Sequence, residues 1–312
     1  MTLTQRIIQG EDDYFRLRNF LRAVFLLNAR QEHSWHVARL DYWRWHFIDN
    51  CRFCESVEKA TAIWETADGQ IAGVLNALSR DEIRLHVHPK YRTPALEEEM
   101  LAYARAHFFD LTQSGRPYHY LPVFTDDTRR QEIVRRLGYQ KADGFGHHWR
   151  RDLDAPIPDV AISPGYTIRS MGALDEHPAR GWASWRAFHS DEGDEHYDGD
   201  WSWYQNVQSM PLYRRDLDIV AIAPGGEVAA FTTIAYDDYT RSAVCVLVGT
   251  AAEHWRKSLG KAVIFEGMRR LQKLGCTRVF ATANEPPADA LYRSVMQTML
   301  VTDTWLWIAG QG

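Results

Sequence analysis

The chain has 312 residues, 45% hydrophobic and 25% charged, with a formal net charge of −5. That length exceeds one ordinary domain and the composition is that of a globular protein, so two domains are expected. The acidic balance argues against a nucleic-acid or anionic-membrane surface, no apolar run suits an export signal or a bilayer span, and four cysteines without a disulfide framework fit a reducing cytoplasm.

Near the N-terminus Trp35, Tyr42, Trp43, Trp45 and Phe47 fall in a helical region and read as core packing. Cys51 and Cys54 have ligand spacing, but no second pair follows at the usual distance, so no metal is expected. Residues 61–74 form a hairpin pattern that turns at Asp68-Gly69. A strand from Ile83, a helix over about 95–108, a strand at 119–124 and a helix over about 129–137 follow. Pro156, Pro158 and Pro164 then break any periodicity and mark a join.

Beyond the join the plan repeats. The segment Ser190 to Asp200 is acidic and is followed by Trp201 and Tyr204. It can be a cradle for a cation, or a solvated loop in which Asp200 caps the helix that starts near Trp201. A second hairpin pattern, residues 219–231, turns at Gly225-Gly226. A strand containing Val246, Leu247 and Val248 then runs into a basic turn with Arg256, Lys257 and Lys261. Leu259, Val263, Ile264, Met268, Leu271 and Leu274 keep a helical period, and Gly275 closes the helix. A strand at 278–283 and a helix at 288–295 complete the half. A tight turn opening a helix leaves backbone N–H groups without partners, and the helix dipole adds about half a positive charge there, so the basic turn suits a diphosphate.

This order of parts resembles the GNAT superfamily of N-acetyltransferases. That family's pyrophosphate loop is Arg or Gln, two residues, Gly, one residue, then Gly or Ala. The matching residues are Trp255-Arg256-Lys257-Ser258-Leu259-Gly260, which keep the last glycine. Val248-Gly249-Thr250 before the loop, Glu266-Gly267-Met268-Arg269-Arg270-Leu271 after it, and Asn284 with Leu291-Tyr292 downstream extend the likeness. The resemblance implies an α/β (α+β) chain of two tandem GNAT domains, each a mixed, mostly antiparallel sheet flanked by helices. Residues 1–152 are the expected first domain, 153–164 a Pro-rich linker and 165–312 the second.

What the resemblance implies about chemistry is direct transfer in the C-terminal domain from acetyl-CoA, or another acyl-CoA, to a small amine. Val246, Leu247 and Val248 would supply the strand, Arg256, Lys257, Ser258, Leu259, Gly260 and Lys261 the pyrophosphate turn, and Asn284 a further cofactor contact. Tyr292 would give a proton to the departing thiolate, although a packed, hydrogen-bonded tyrosine is the other reading of that residue. Many relatives carry a glutamate as base where this chain has Val246, so Glu285 and His196 are the candidates for that role. Asp194, Glu195, Asp198 and Trp201 are the candidate acceptor residues.

The first copy departs further from the family. Its loop position reads Arg92-Thr93-Pro94-Ala95-Leu96-Glu97, in which Pro94 lacks a donor and Glu97, Glu98 and Glu99 set negative charge where a diphosphate would lie. A structural or acceptor-shaping role is expected for it. The alternative for the whole chain is a GNAT-fold binding or regulatory protein without transfer, or an enzyme of the same fold with other chemistry. Val246 and the altered loop favour that alternative, whereas the basic turn and Tyr292 favour transfer. Nothing in the sequence signals an oligomeric state.

Overall fold

Residues 2–311 are described by a computed structural model and divide into two units: residues 2–148 with 300–311, and residues 149–299. In the first unit, strand β1 (Thr4–Ile7) is followed by helices α1 (Gly10–Leu27) and α2 (Val37–Tyr42). A π-helical turn, Trp43–Ile48, continues α2. It buries Trp43 and packs Trp45 and Phe47 against the core, as the sequence pattern indicated. Strands β2 (Thr61–Glu65), β3 (Ile71–Ala77) and β4 (Ile83–Val87) join β1 in an antiparallel sheet of order β1-β2-β3-β4. Gly69 takes a φ of +78° in the β2–β3 turn, a backbone that glycine adopts without steric penalty. Helix α3 (Pro94–His107), strands β5 (Asp110–Leu111) and β6 (Pro117–Phe124), helix α4 (Thr128–Arg136) and strand β7 (Gln140–Asp152) follow.

The second unit runs β8 (Thr167–Ser170), α5 (His177–Phe188), α6 (Ser202–Gln208), β9 (Asp218–Ile222), β10 (Val228–Asp237), β11 (Ser242–Thr250), α7 (Leu259–Lys273), β12 (Arg278–Ala283) and α8 (Pro286–Arg293). Its strands lie in the order β12-β11-β10-β9-β8. Neighbours pair antiparallel except β11 and β12, which are parallel. Every residue of β10 is buried, because helices cover both faces of the sheet. On one face Ile234 meets α7, where a Cβ on Gly267 would lie 2.3 Å from its Cδ1. On the other, Phe231 and Thr233 point to the side of α5 and α6.

The last strand, β13 (Thr298–Ile308), pairs antiparallel with β6, for example Leu306 with Tyr120. Residues 300–311 therefore group with the first unit rather than with the 165–312 stretch read as the second domain, and the division between units falls after His148 rather than at 152. Trp305 is buried in the first unit's core. A strand's own pattern states which face is apolar, not which sheet it joins. Among the described residues no helix is long and apolar enough to cross a membrane.

Candidate functional site

Strand β11 is irregular where the sequence places Val246. Thr233 of β10 pairs with Leu247 and the next residue, Ile234, pairs with Cys245, which leaves Val246 as the extra residue of a β-bulge. On its other edge β11 pairs with β12 from Ser242 to Val244, and among the described residues the register ends there. Both strands run on, β11 to Thr250 and β12 to Ala283, so they part after Val244, just before the bulge. Leu247 and Val248 remain paired with β10 on one side, and on the other side this stretch of β11 borders a gap instead of completing a ladder.

The turn between β11 and α7 is built from local contacts. Trp255 donates its indole N–H to the Thr250 carbonyl at 2.8 Å, and Lys257 donates from Nζ to the Glu253 carbonyl at 2.9 Å. Arg256 and Ser258 both take the left-handed backbone, with φ of +60° and +61°. The first helical bond runs from the Ala262 N–H to the Ser258 carbonyl at 3.0 Å. Among the described residues the backbone N–H groups of Arg256, Lys257, Ser258, Leu259, Gly260 and Lys261 have no acceptor, and Ser258 makes no side-chain cap. These six donors lie along the turn at the positive end of a helix whose first turn carries no acid. Gly260 is buried, and a Cβ there would stand 3.2 Å from Thr250 Oγ1 and 3.5 Å from Leu291 Cδ2.

Asn284 and Glu285 are exposed at the exit of β12, with Glu285 in the capping position of α8 and its carbonyl accepting the Asp289 N–H. Tyr292 is buried in the same helix, within the cluster that contains Ile234, Cys245, Phe265 and Ala281. It therefore belongs to the α7 face of the sheet.

The acidic segment lies with α5 and α6, whose side chains meet the opposite face. Asp194, Glu195 and His196 form an exposed helical turn, and His196 has no fixed partner nearer than Glu195 at 3.7 Å. Asp198 accepts from the Asp200 N–H, and Asp200 accepts from both the N–H and hydroxyl of Ser202 at the start of α6. Trp201, not Asp200, holds the N-cap position of α6, and Asp200 lies one residue before it while accepting the first N–H of the helix. Trp201 is half-buried and meets His177 edge-on. Tyr292 and His196 are consequently not brought together, whereas Tyr292 and Glu285 share one short helix and its cap.

Two features had no motif to announce them. Asp218 is fully buried and accepts hydrogen bonds from the hydroxyls of Thr233 and Tyr213, both at 3.0 Å, and of Tyr204. Burial raises its carboxyl above the usual range against the opposing charge of Arg180. Arg180 is itself buried, its guanidinium carbon 3.4 Å from the Phe231 ring centroid. Phe231 in turn requires Gly249, where a Cβ would lie 2.4 Å from the ring and 2.9 Å from Ala187 Cβ, so α5 lies directly on β11. The visible signal was an aspartate opening the otherwise apolar strand Ile219-Val220-Ala221-Ile222. The second feature is Arg186 in the last turn of α5. It joins Glu253 at 2.6 Å, Asp194 at 3.3 Å and the Glu192 carbonyl at 3.2 Å, linking the acidic segment to the turn before α7.

Residues 181–296 match the acetyltransferase (GNAT) family, a stretch that runs from α5 through the bulge and the basic turn to the end of α8. The chain carries a GNAT acetyltransferase domain. A GCN5-related N-acetyltransferase from Sphaerobacter thermophilus aligns over 98% of this chain and 95% of its own, with a TM-score of 0.65 at 15% identity. A tandem GNAT protein from the clavulanic acid biosynthesis pathway aligns over 100% of both chains, with a TM-score of 0.65 at 16% identity. A GNAT-family acetyltransferase from Colwellia psychrerythraea gives a TM-score of 0.60 at 10% identity, over 97% and 98%. At such identities the likeness is one of fold. A search of curated protein sequences finds no match. The GNAT domain lies within the second unit, and the tandem GNAT fold extends along the whole chain.

Proposed function

We propose that the protein is an acyl-CoA-dependent N-acyltransferase that acts on a small amine, with cofactor and chemistry in the C-terminal GNAT domain. The observation that carries this reading is the run of six backbone N–H groups at Arg256 to Lys261 that have no acceptor among the described residues. A diphosphate fits such a turn: the donors lie at a helix N-terminus, Arg256, Lys257 and Lys261 add charge, and Gly260 lets the helix start lie against β11 and α8. Bound there, an acyl-CoA supplies an acyl group activated as a thioester.

The residues of the chain have the remaining tasks. On the stretch of β11 released from β12 after Val244, a backbone N–H turned to the gap, at Leu247 or at Val248, suits polarisation of an acyl carbonyl. Asn284 stands at the exit of the neighbouring strand. An alkylamine is mostly protonated at neutral pH, so a base must take its proton before attack. Glu285, at the mouth of the parted strands, is favoured over His196, which lies in the loop between α5 and α6. The Tyr292 phenol, held in α8, is the donor to the departing thiolate. Asp194, Glu195 and Asp198 are exposed on the α5 side, with Trp201 at their base, and their field draws a protonated amine toward the domain.

Calorimetric titration with acetyl-CoA tests the reading, with Gly260→Glu as the control. Micromolar binding that the variant loses supports it, and no binding by the unaltered protein overturns it. A second reading, a GNAT-fold protein that binds without transfer, is favoured by the absence of a carboxylate at Val246. Binding without turnover across a panel of amines would select it.

A further inference from the structure

The first unit repeats the strand–turn–helix order of the second, with β4, a short turn and α3 in place of β11, its turn and α7. Ala95, second in α3, stands where Gly260, second in α7, stands in that order, and Glu97 lies two residues further along its helix. Gly260 looks onto the strand before it and onto the following helix, through Thr250 and Leu291. Glu97 likewise faces the following helix, α4, through Arg130.

Glu97 is buried completely, and its two carboxylate oxygens are taken by two arginines. Arg92 donates from Nε to Oε1 at 2.5 Å, and Arg130 donates from Nε to Oε2 at 2.6 Å. Arg92 also holds both oxygens of Asp127, at 2.7 and 2.6 Å, and Arg130 reaches the Leu85 carbonyl of β4 at 3.3 Å. One carboxylate thereby ties the end of β4, the start of α3 and the start of α4, three elements that an anion between them would also tie. Beside the clamp lies a cavity of about 280 Å³ lined by Arg92, Arg129, Arg130, Asp127, His33 and Ser34 among others. Glu98 and Glu99 are not part of it: Glu98 pairs with Arg136, and Glu99 accepts the Trp64 indole N–H. The three acids read together in the sequence as a repulsive run are therefore separate, and the first of them is neutralised.

We propose that the first unit contains a latent anion site between Arg92 and Arg130, occupied by its own Glu97, which an external anion such as pyrophosphate takes over when that side chain is shortened. The clamp leaves no net positive charge for an external ligand while Glu97 is present. Without Glu97, two buried or half-buried guanidiniums face one remaining carboxylate, Asp127, and the single uncompensated positive charge attracts an external anion to where the carboxylate was. This inference does not depend on the proposed transferase activity.

The test is thermal unfolding of the full chain with inorganic pyrophosphate, done in a Gly260→Glu background so that the turn of the second unit contributes nothing. Glu97→Ala is expected to lower Tm and to regain about 5 °C, saturably, at pyrophosphate well above its Kd. The Glu97-containing parent should not respond, and Glu97→Ala with Arg130→Ala should not respond either. If Glu97→Ala does not fold, Glu97→Ser, which also shortens the side chain and removes the charge, is the variant to titrate. Equal responses with and without Glu97, or none in any variant, overturn the proposal.

Discussion

Gly260, in the first turn of α7, and Thr250, at the end of β11, are so close that a side chain on the glycine would begin 3.2 Å from the threonine hydroxyl oxygen. The contact fixes where the helix begins relative to the strand, and so where its free N–H groups lie. Gly260→Glu fills that space and brings a negative charge to the anion turn. Acetyl-CoA affinity is expected to fall at least about 100-fold, from the loss of charge-assisted hydrogen bonds together with close approach. Ala95→Glu, in the first unit, should leave it unchanged. Calorimetry on both variants checks this, and equal losses would remove the second unit as the cofactor site.

Tyr292 is buried in α8 within the apolar cluster under α7. If its phenol is the proton donor, Tyr292→Phe keeps the packing and removes the proton. The expected outcome is a kcat lower by about 100-fold with acetyl-CoA affinity little changed. Steady-state kinetics beside calorimetric titration separate the two, and an unchanged kcat would assign Tyr292 to packing alone.

Ser258 holds a left-handed backbone that costs a non-glycine residue about 1 kcal/mol, partly offset because glycine has more freedom to lose on folding. Ser258→Gly should raise Tm by a degree or two, roughly what a net few tenths of a kcal/mol gives. It should bind acetyl-CoA as well as or better than the serine protein. A lower Tm in thermal denaturation would mean that the hydroxyl supports the turn.

The first unit holds four buried or largely buried histidines whose side chains burial pushes down: His46 and His119 to about 4, His86 and His148 to about 3. Each has an ordinary value of 6.5, so between that value and the folded one the unfolded chain binds the proton and the folded chain does not. Stability therefore falls as the pH drops below 6.5, by up to about 1.4 kcal/mol per pH unit for each group. Urea unfolding between pH 7 and pH 5, followed by hydrogen exchange, should show amides of the first unit losing protection first. Parallel loss in both units would mean that another titration dominates.

Much of the fold was legible because its signals are local. The Asp68-Gly69 turn, the aromatic stripe of the Trp43–Ile48 segment and the apolar period of α7 each depend on neighbours within a few residues. The partner of β13 was not legible. Thr298–Ile308 groups apolar and polar residues in runs that name no partner sheet, and Trp305 completes the core of the first unit although it follows the second in sequence. Glu97 was misread for a related reason. Its sequence neighbours Glu98 and Glu99 suggested a negative patch, while its actual neighbours, Arg92 and Arg130, come from a turn and from another helix.

At the candidate site the division is similar. The sequence alone determined the basic turn, the helix it opens and the register that puts Gly260 at its start, because backbone conformation and helical period are short-range properties. Tertiary structure decided that Val246 bulges, that β11 and β12 part after Val244, and that Arg180 and Asp218 lie buried beneath α5. Those features follow from how strands far apart in the chain pair and how helices press on them, and hydrogen-bond register and burial are properties of the assembled sheet.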